Sequence, residues 1–272
     1  MTVIPSLPAT SELEDLRFLT YETRDRVAYI TLDRADKRNA LNYDVVAELK
    51  QAFEFAESDD TCKVVVLRAN GKAFSAGADL ESIQAMQEYE YDDNLADSTH
   101  LMQLFLQIYT LKKVVIAQIQ GHAIAGGCGL ATLCDFAFAV PEAKFGYTEV
   151  KIGFLPAIVS VFLLRKVGEG RTKELLLTGD LVTADDAQRL GLINYVVPAD
   201  ELADRVETFA RKLCAENSAN SLEVTKDLIA RVQELPLEAA LRYAAQQNAT
   251  ARSSDDCRRG VGAFLNKEPL VW

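Results

Sequence analysis

Apolar and polar positions alternate along the first two thirds of the chain in a strand–helix order. Between strand-like runs, apolar residues recur at helical spacing, first at residues 46–56 and again at residues 101–108. The strand-like runs are nearly continuous in apolar residues, a pattern typical of parallel strands covered on both faces, and they are "RVAYITLD", "CKVVVLRA", "KVVIAQIQ" and "FAFAV". This order predicts an α/β core with a buried sheet.

Beyond Gly153 the strand pattern fades to "LINYVV", and the segments with helical patterning are "AIVSVFLLRKV", "TKELLLTG", "TADDAQRLG" and most of residues 200–272. We therefore expect three parts: a flexible N-terminus (1–16), an α/β core (17–199) and a helical C-terminal region (200–272). The last part either caps the core or makes subunit contacts. The acidic run "EYEYDDNLAD", residues 88–97, is expected to be a solvated loop.

Charge and cysteine content restrict the classes of partner. A net charge of -11 and a pI near 4.8 argue against a broad nucleic-acid surface, which needs clustered Lys and Arg. The five cysteines are scattered without metal-site spacing, which indicates reduced thiols in a cytoplasmic protein. Of these, Cys128 and Cys134 are expected to be small apolar core residues. No stretch reaches the roughly 20 apolar residues of a membrane span, so no membrane partner is expected either.

Two loops of small residues follow predicted strands and precede predicted helices. They are "GKAFSAGADL", residues 71–80, and "GHAIAGGCGLATLCD", residues 121–135. Such loops let a ligand approach main-chain N–H groups at a helix N-terminus, where the dipole favours negative charge. If both loops donate to one oxygen, they polarise a carbonyl and stabilise an enolate. The alternative is that each loop serves only close packing.

These loops carry a resemblance to a known family. Together with "NAL" at residues 39–41 and "AKFGYTEVKIGFLP" at residues 143–156, they resemble the signature segments of the enoyl-CoA hydratase/isomerase (crotonase) family, most closely its bacterial methylglutaconyl-CoA hydratase-like members. The resemblance covers about residues 17–272. It implies a spiral of ββα units with a helical trimerisation region, a homotrimer or dimer of trimers, and an acyl-CoA substrate. Coenzyme A enters as part of that substrate, so neither a separate cofactor nor a metal is implied.

The resemblance also implies roles for individual residues. Ala78 and Gly126 match the amides of an oxyanion hole, and Glu149 matches a catalytic carboxylate. Lys37 and Arg38 would supply positive charge near the nucleotide, although a solvated charge pair explains them equally well. All positions matched to substrate or CoA binding are Lys37, Arg38, Ala40, Ala76, Gly77, Asp79, Leu80, Gly127, Gly129, Phe264 and Lys267.

Gly129 departs from the family pattern. Hydratases of this family often use two glutamates, and the resemblance places the first at position 129, about twenty residues before Glu149. An enoyl-CoA hydratase is the first expectation, with a branched substrate such as methylglutaconyl-CoA as one alternative for its acyl group. A single carboxylate also suits a 1,3-proton shuttle, as in a delta-isomerase, or retro-aldol chemistry, and a catalytically weak acyl-CoA binding protein is a further alternative.

Four acidic residues and two histidines complete the candidates. One of the carboxylates in the acidic run could replace the missing glutamate, the candidates being Glu88, Glu90, Asp92 and Asp93. His122, beside Gly121, is expected to be packed and hydrogen-bonded rather than an acid or base. His100 is expected at the start of a helix, on the surface.

Overall fold

The computed structural model of the protein describes residues 16–272, and the predicted flexible segment therefore lies outside the described residues except for Leu16. The strands are β1 (Leu19–Arg24), β2 (Val27–Leu32), β3 (Val64–Ala69), β4 (Ala73–Ser75), β5 (Val114–Ile119), β6 (His122–Ile124), β7 (Phe136–Ala139), β8 (Lys144–Gly146), β9 (Val182–Thr183) and β10 (Tyr195–Val196). The α-helices are α1 (Tyr43–Ser58), α2 (Leu80–Met86), α3 (Tyr91–Thr110), α4 (Gly126–Leu133), α5 (Ala157–Thr178), α6 (Ala184–Leu190), α7 (Leu202–Glu216), α8 (Ala219–Val232), α9 (Leu237–Arg252) and α10 (Asp255–Asn266). Short 3-10 helices cover Ala35–Lys37 and Glu149–Ile152.

The strands form two sheets. The larger has six strands in the order β1-β2-β3-β5-β7-β10, and the smaller has four in the order β4-β6-β8-β9. In the larger sheet only the β1–β2 pair is antiparallel, and every other pair is parallel. Two strands of the smaller sheet each directly follow a strand of the larger sheet along the chain, β4 after β3 and β6 after β5. Both small-residue loops therefore start from the same small sheet.

The larger sheet carries the core. Strand β2 is buried at all six positions and β3 at its first four, as expected for strands covered on both faces. Helix α1 packs its predicted apolar side onto this sheet, and the side chain of Asn42 caps its N-terminus by accepting a hydrogen bond from Val45 N at 2.9 Å. Cys128 and Cys134 are buried in the core as predicted, and burial raises the pKa of each thiol to about 12.

Most of the acidic run at residues 88–97 is helical, so its prediction as a loop was wrong from Tyr91 onward, and of this run only residues 88–90 lie between α2 and α3 outside a helix. Helix α3 begins at Tyr91, and Asp92 and Asp93 fall in its first turn, where the helix dipole stabilises negative side chains. Later turns of the same helix are held by the buried side chains of Leu104 and Phe105. The same correction moves His100 into the middle of α3, where it is half-buried rather than at a helix start on the surface.

From Leu202 the chain is helical. Helix α7 packs against the larger sheet and buries Val206 and Ala210, whereas α8 and α9 bury no residue within the described chain. Large apolar side chains on α9 and α10 are instead exposed, Leu237 by 77% and Phe264 by 83%. None of the helices in residues 16–272 has the length and apolar character needed to cross a bilayer.

Candidate active site

The small sheet brings the two small-residue loops side by side. Strands β4 and β6 pair in parallel, with Ala73 opposite His122 and Ser75 opposite Ala123. The residues that follow each strand therefore run next to each other. A Cβ added to Gly126 would lie 4.0 Å from Ala78 N, and one added to Gly127 would lie 2.5 Å from the carbonyl oxygen of Ser75. Glycine at these positions allows the close approach of the two backbones.

A third segment, residues 39–41, fixes the first loop. The buried Asn39 side chain donates to the carbonyl oxygens of Asn70 and Ala73 at 2.8 and 2.9 Å, and Ser75 Oγ donates to Asn39 O at 2.8 Å. Leu41 N donates to Gly77 O at 2.7 Å, and Asp79 N donates to Leu41 O at 2.9 Å.

The two backbone hydrogen bonds of Leu41 involve Gly77 and Asp79, the residues on either side of Ala78, and do not use the N–H of Ala78 itself. Within residues 16–272, neither Ala78 N nor Gly126 N donates to a protein acceptor. Gly126 is also the first residue of α4, where the helix leaves its initial N–H groups unpaired. Two unpaired amides from separate loops therefore lie near each other.

Ala78 and Gly126 line one cavity of about 70 Å³. It lies between the two loops, the start of α1 and the facing sides of α2 and α3. The remaining lining residues are Leu41, Asn42, Tyr43, Val46, Asp79, Ser82, Ile83, Met86, Asp97, His100 and Leu101. The walls are mostly apolar, and the polar groups are concentrated around the two amides and on α3. Such a mixture is common in small-molecule sites.

Glu149 is not a lining residue of this cavity but lies on a neighbouring segment. Ala125 N donates to Gly146 O at 2.7 Å, so the chain reaches Glu149 three residues after it has paired with the loop that carries Gly126. The Glu149 side chain is buried, and its Oε2 has no hydrogen-bond partner within the described chain. Burial raises the pKa of this carboxyl. A buried carboxyl without a counter-ion is suited to holding and releasing a proton.

Gly129 lies inside α4 and is packed from two sides. A Cβ at this position would be 2.3 Å from Val159 Cγ1 and 3.1 Å from Phe105 Cε1. The space that a glutamate side chain would need is therefore filled by α5 and α3. It follows that the glycine accommodates a neighbouring helix rather than a ligand.

Other predicted binding residues cluster around the first loop. Ala76 N donates to Arg38 O at 3.0 Å, and the exposed Lys37 pairs with Glu81 at 2.8 Å. Ala40 is buried and Leu80 is 63% exposed. Phe264 and Lys267 lie at the end of α10, and the described chain does not bring them to the cavity.

The buried carboxylate of Asp79 has two partners within the protein. Its side chain caps α2 by accepting from Glu81 N at 3.1 Å, and it pairs with Arg34 at 2.7 Å. Burial alone would raise the pKa of Asp79, but the hydrogen bond from Arg34 and those from the helix backbone lower it. Its charge is thus already compensated within the protein. Arg34 was not singled out from the sequence.

Sequence reasoning also missed the polar residues on α3. His100 stacks on Tyr43 with ring centroids 4.1 Å apart, and Asp97 lies one turn before it. A helical period through residues 91–110 would have placed both with Leu101 and Leu104 on one side of a helix. His122, expected to be packed, is exposed, although its Nδ1 accepts a hydrogen bond from Lys144 N at 3.2 Å.

Fold and site together define a two-sheet α/β protein in which unpaired backbone amides from two glycine-containing loops meet at a small, largely apolar cavity. The model of the family "Enoyl-CoA hydratase/isomerase" matches residues 22–272. The chain belongs to that family and is an enzyme of it.

Individual relatives agree. A putative enoyl-CoA hydratase of Thermus thermophilus is 42% identical over 246 residues, covering 90% of this chain and 97% of that one. A crotonyl-CoA hydratase of Syntrophomonas wolfei is 32% identical, with 90% and 94% covered. The solved structure of a putative enoyl-CoA hydratase/isomerase (crotonase) from Legionella pneumophila superposes with a TM-score of 0.85 at 37% identity, covering 93% of this chain and 98% of that one. The predicted crotonase-like fold with a helical C-terminal region is confirmed.

Proposed function

We propose that the protein adds water to the double bond of an enoyl-CoA thioester, with the thioester oxygen bound by the amides of Ala78 and Gly126. The observation that carries this proposal is the pair of unpaired N–H groups, from separate loops, at one cavity. The hydratase names of similar proteins support it. Two donors on one oxygen stabilise the enolate that forms when a nucleophile adds to the β-carbon.

Glu149 is the proposed acid/base. Burial raises the pKa of this carboxyl, and its Oε2 has no hydrogen-bond partner within the described chain, so the site favours the protonated form more than water does. In its protonated form the carboxyl can give a proton to the α-carbon of the enolate, and in its ionised form it can take that proton back in the reverse reaction.

CoA itself is proposed to bind along the first loop. The residues concerned are those that the sequence singled out between positions 37 and 40 and between positions 76 and 80, with Lys37 and Arg38 exposed toward solvent. Since the protein is strongly acidic overall, the phosphates need local cations such as these. Phe264 and Lys267 would reach a nucleotide from a neighbouring subunit, and we propose a homotrimer or a pair of trimers.

Two measurements test the function. A conjugated acyl-CoA should show a red-shifted absorbance on mixing with the protein, because the two amides draw electron density toward the carbonyl oxygen. Crotonyl-CoA should be hydrated with turnover. A red shift without turnover on any of several enoyl-CoA chain types would indicate an acyl-CoA binding protein, and an unchanged spectrum at saturating protein would contradict the amide assignment.

Double-bond isomerisation is the second candidate, favoured by the glycine at position 129. If Glu149 alone acts as acid and base, the same oxyanion site would suit moving one proton between the α- and γ-carbons. Conversion of a 3-enoyl-CoA to the 2-enoyl isomer, faster than hydration of the product, would support this alternative.

The acyl group of the substrate is either straight or branched. The family resemblance leaves open a branched acyl group such as methylglutaconyl, yet the space at Gly129 is occupied by Val159 and so does not accommodate a branch. A panel of straight and branched enoyl-CoA thioesters, compared by kcat/KM, decides between them.

A further inference from the structure

Helix α3 presents a carboxyl to the same cavity as the two amides. Asp97, His100 and Leu101 all line the cavity that contains Ala78 and Gly126. Asp97 is half-buried, and its carboxyl forms neither a hydrogen bond nor an ion pair with any residue in the part of the chain that the structure describes. Burial raises its pKa, an effect that the nearby His100 ring partly offsets.

Asp79 and His100, two further titratable groups at the cavity, already have partners. Asp79, the second carboxyl at the cavity, is paired with Arg34. His100 Nδ1 lies 3.4 Å from Lys50 Nζ, and its Nε2 lies 3.3 Å from Tyr43 O. Burial lowers the pKa of His100, and the charge of Lys50 lowers it further, so both effects favour the neutral ring. Of the two carboxyls that line the cavity, Asp97 is the one without a partner in the part of the chain that the structure describes.

Position 129 cannot supply a second carboxyl. Val159 fills the space beside Gly129, and Glu149 is the one acid of the two-glutamate pattern that this chain keeps. The acids first considered as replacements, Glu88, Glu90, Asp92 and Asp93, are exposed and do not line the cavity. Asp97 lies at the end of the same acidic run and does.

We propose that Asp97 is a second catalytic residue, which takes a proton from the water that adds to the β-carbon; this proposal rests on the proposed hydratase function. The water oxygen forms a bond to the β-carbon while one O–H bond breaks and its proton passes to the Asp97 carboxylate. The π electrons of the double bond move to the thioester oxygen, held by Ala78 and Gly126.

The enolate then returns its electrons to the α-carbon, which binds the proton from Glu149. At the end of the cycle Asp97 is protonated and Glu149 ionised, and a proton exchange with solvent restores both. One carboxyl therefore acts on each of the two carbons.

Asp97→Asn tests this role, because asparagine keeps the size of the side chain but cannot take up the proton. Hydration of the best enoyl-CoA should fall by about 100-fold to 10,000-fold. The red shift of a bound conjugated acyl-CoA should stay, since the amides are untouched. Asp93→Asn, an exposed change on the same helix, is the matched control and should hydrate like the wild type.

A second readout separates the two carboxyls. Exchange of the α-proton of a saturated acyl-CoA in D₂O depends on Glu149 and should persist in Asp97→Asn. Hydration at the wild-type rate in this variant would overturn the proposal, and so would loss of hydration and exchange together. A wild-type protein that neither shifts the spectrum nor hydrates any enoyl-CoA would overturn the proposed function itself. If the wild type shifts the spectrum and hydrates while Asp97→Asn is unimpaired, only the role of Asp97 is overturned.

Discussion

Gly77 and Ala125 lie against each other with positive φ angles of 85° and 52°, and each directly precedes one of the two unpaired amides of the cavity. A Cβ on Gly77 would fall 2.8 Å from the Cβ of Ala125 and 3.1 Å from Gly126 N. Ala125 holds its conformation, φ 52° and ψ -129°, without being glycine. Such backbone angles cost about 1–3 kcal/mol and persist where surrounding structure fixes them. The geometry of the two donors therefore depends on this pair.

Gly77→Ala should disturb the donor pair because the new methyl group would press on Ala125 and the Gly126 amide. We expect a smaller red shift of a bound conjugated acyl-CoA, a fall in kcat and a loss of more than about 1 kcal/mol of unfolding free energy. The control is Gly153→Ala, because Gly153 also has a positive φ, 76°, but has open space around the added carbon. It should cost stability without changing the spectrum. Equal spectral effects in both variants would contradict the role of contact with Ala125.

Gly129→Ala tests the packing between α4 and α5. The added carbon overlaps Val159, and overpacking of this kind costs about 1–3 kcal/mol of unfolding free energy. Gly129→Glu should be less stable still and should not raise the hydration of crotonyl-CoA, since the side chain finds no space to reach a ligand.

The partner change Val159→Ala supplies the control for this contact. The double variant Gly129→Ala with Val159→Ala should lose less unfolding free energy than the two single variants lose together. Urea unfolding of the three variants and the wild type measures the difference. Strict additivity would show that the two positions do not compete for the same space.

Much of the fold follows from hydrophobic period alone. Strands β2, β3, β5 and β7 are long apolar runs, and α1 has an uninterrupted helical pattern, so each was predicted close to its observed bounds. The strands of the small sheet have only two or three residues and no period to detect. Strand β1 was also missed, because five of its six residues are partly or fully exposed.

The site divides in the same way. Ala78 and Gly126 could be predicted because the small-residue loops and the family resemblance both mark them. Asp97 and His100 could not, because the acidic residues before them suggested a loop and the apolar period that predicts a helix begins only at Leu101, ten residues after the start of α3. The packing of Val159 against Gly129 joins residues thirty positions apart, and no local pattern reports such a contact.

Assembly should depend on the exposed apolar side chains of α9. Leu241 is 63% exposed, and α9 as a whole buries no residue within the described chain. Exposed apolar surface of this kind is stabilised by a partner. Light scattering should report a trimer or hexamer for the wild type and smaller species for Leu241→Glu. Gln246→Glu adds the same charge to the same helix without removing an apolar group, and it should assemble normally. A wild-type monomer at micromolar concentration would count against a homo-oligomer.

Glu149→Gln should reduce catalysis without weakening CoA binding. Glutamine keeps the shape of the side chain but cannot hold or release the proton, so kcat should fall by about 100-fold to 10,000-fold while CoA affinity changes little. The conservative variant Glu149→Asp should recover part of the activity. Full activity in Glu149→Gln on the best substrate would show that another group moves the α-proton.

The stability of the same variant should depend on pH in a defined direction. Because burial raises the pKa of Glu149 in the folded protein, the folded state binds more protons at this site than the unfolded state between the ordinary glutamate pKa, about 4.3, and the raised one. The contribution of Glu149 to the unfolding free energy of the wild type therefore falls as pH rises through that interval. Above the interval, ionised Glu149 lowers the unfolding free energy by a constant amount. Glutamine has no such cost. The difference in unfolding free energy, Glu149→Gln minus wild type, should increase with pH across the interval and then level off, as measured by urea unfolding at a series of pH values.

Val150→Ala, a change at the exposed neighbouring residue, serves as the control and should show no pH-dependent difference from the wild type. A Glu149→Gln difference that shrinks with rising pH would mean that the folded protein favours the charged carboxylate, and the assignment of Glu149 as the proton donor would fail.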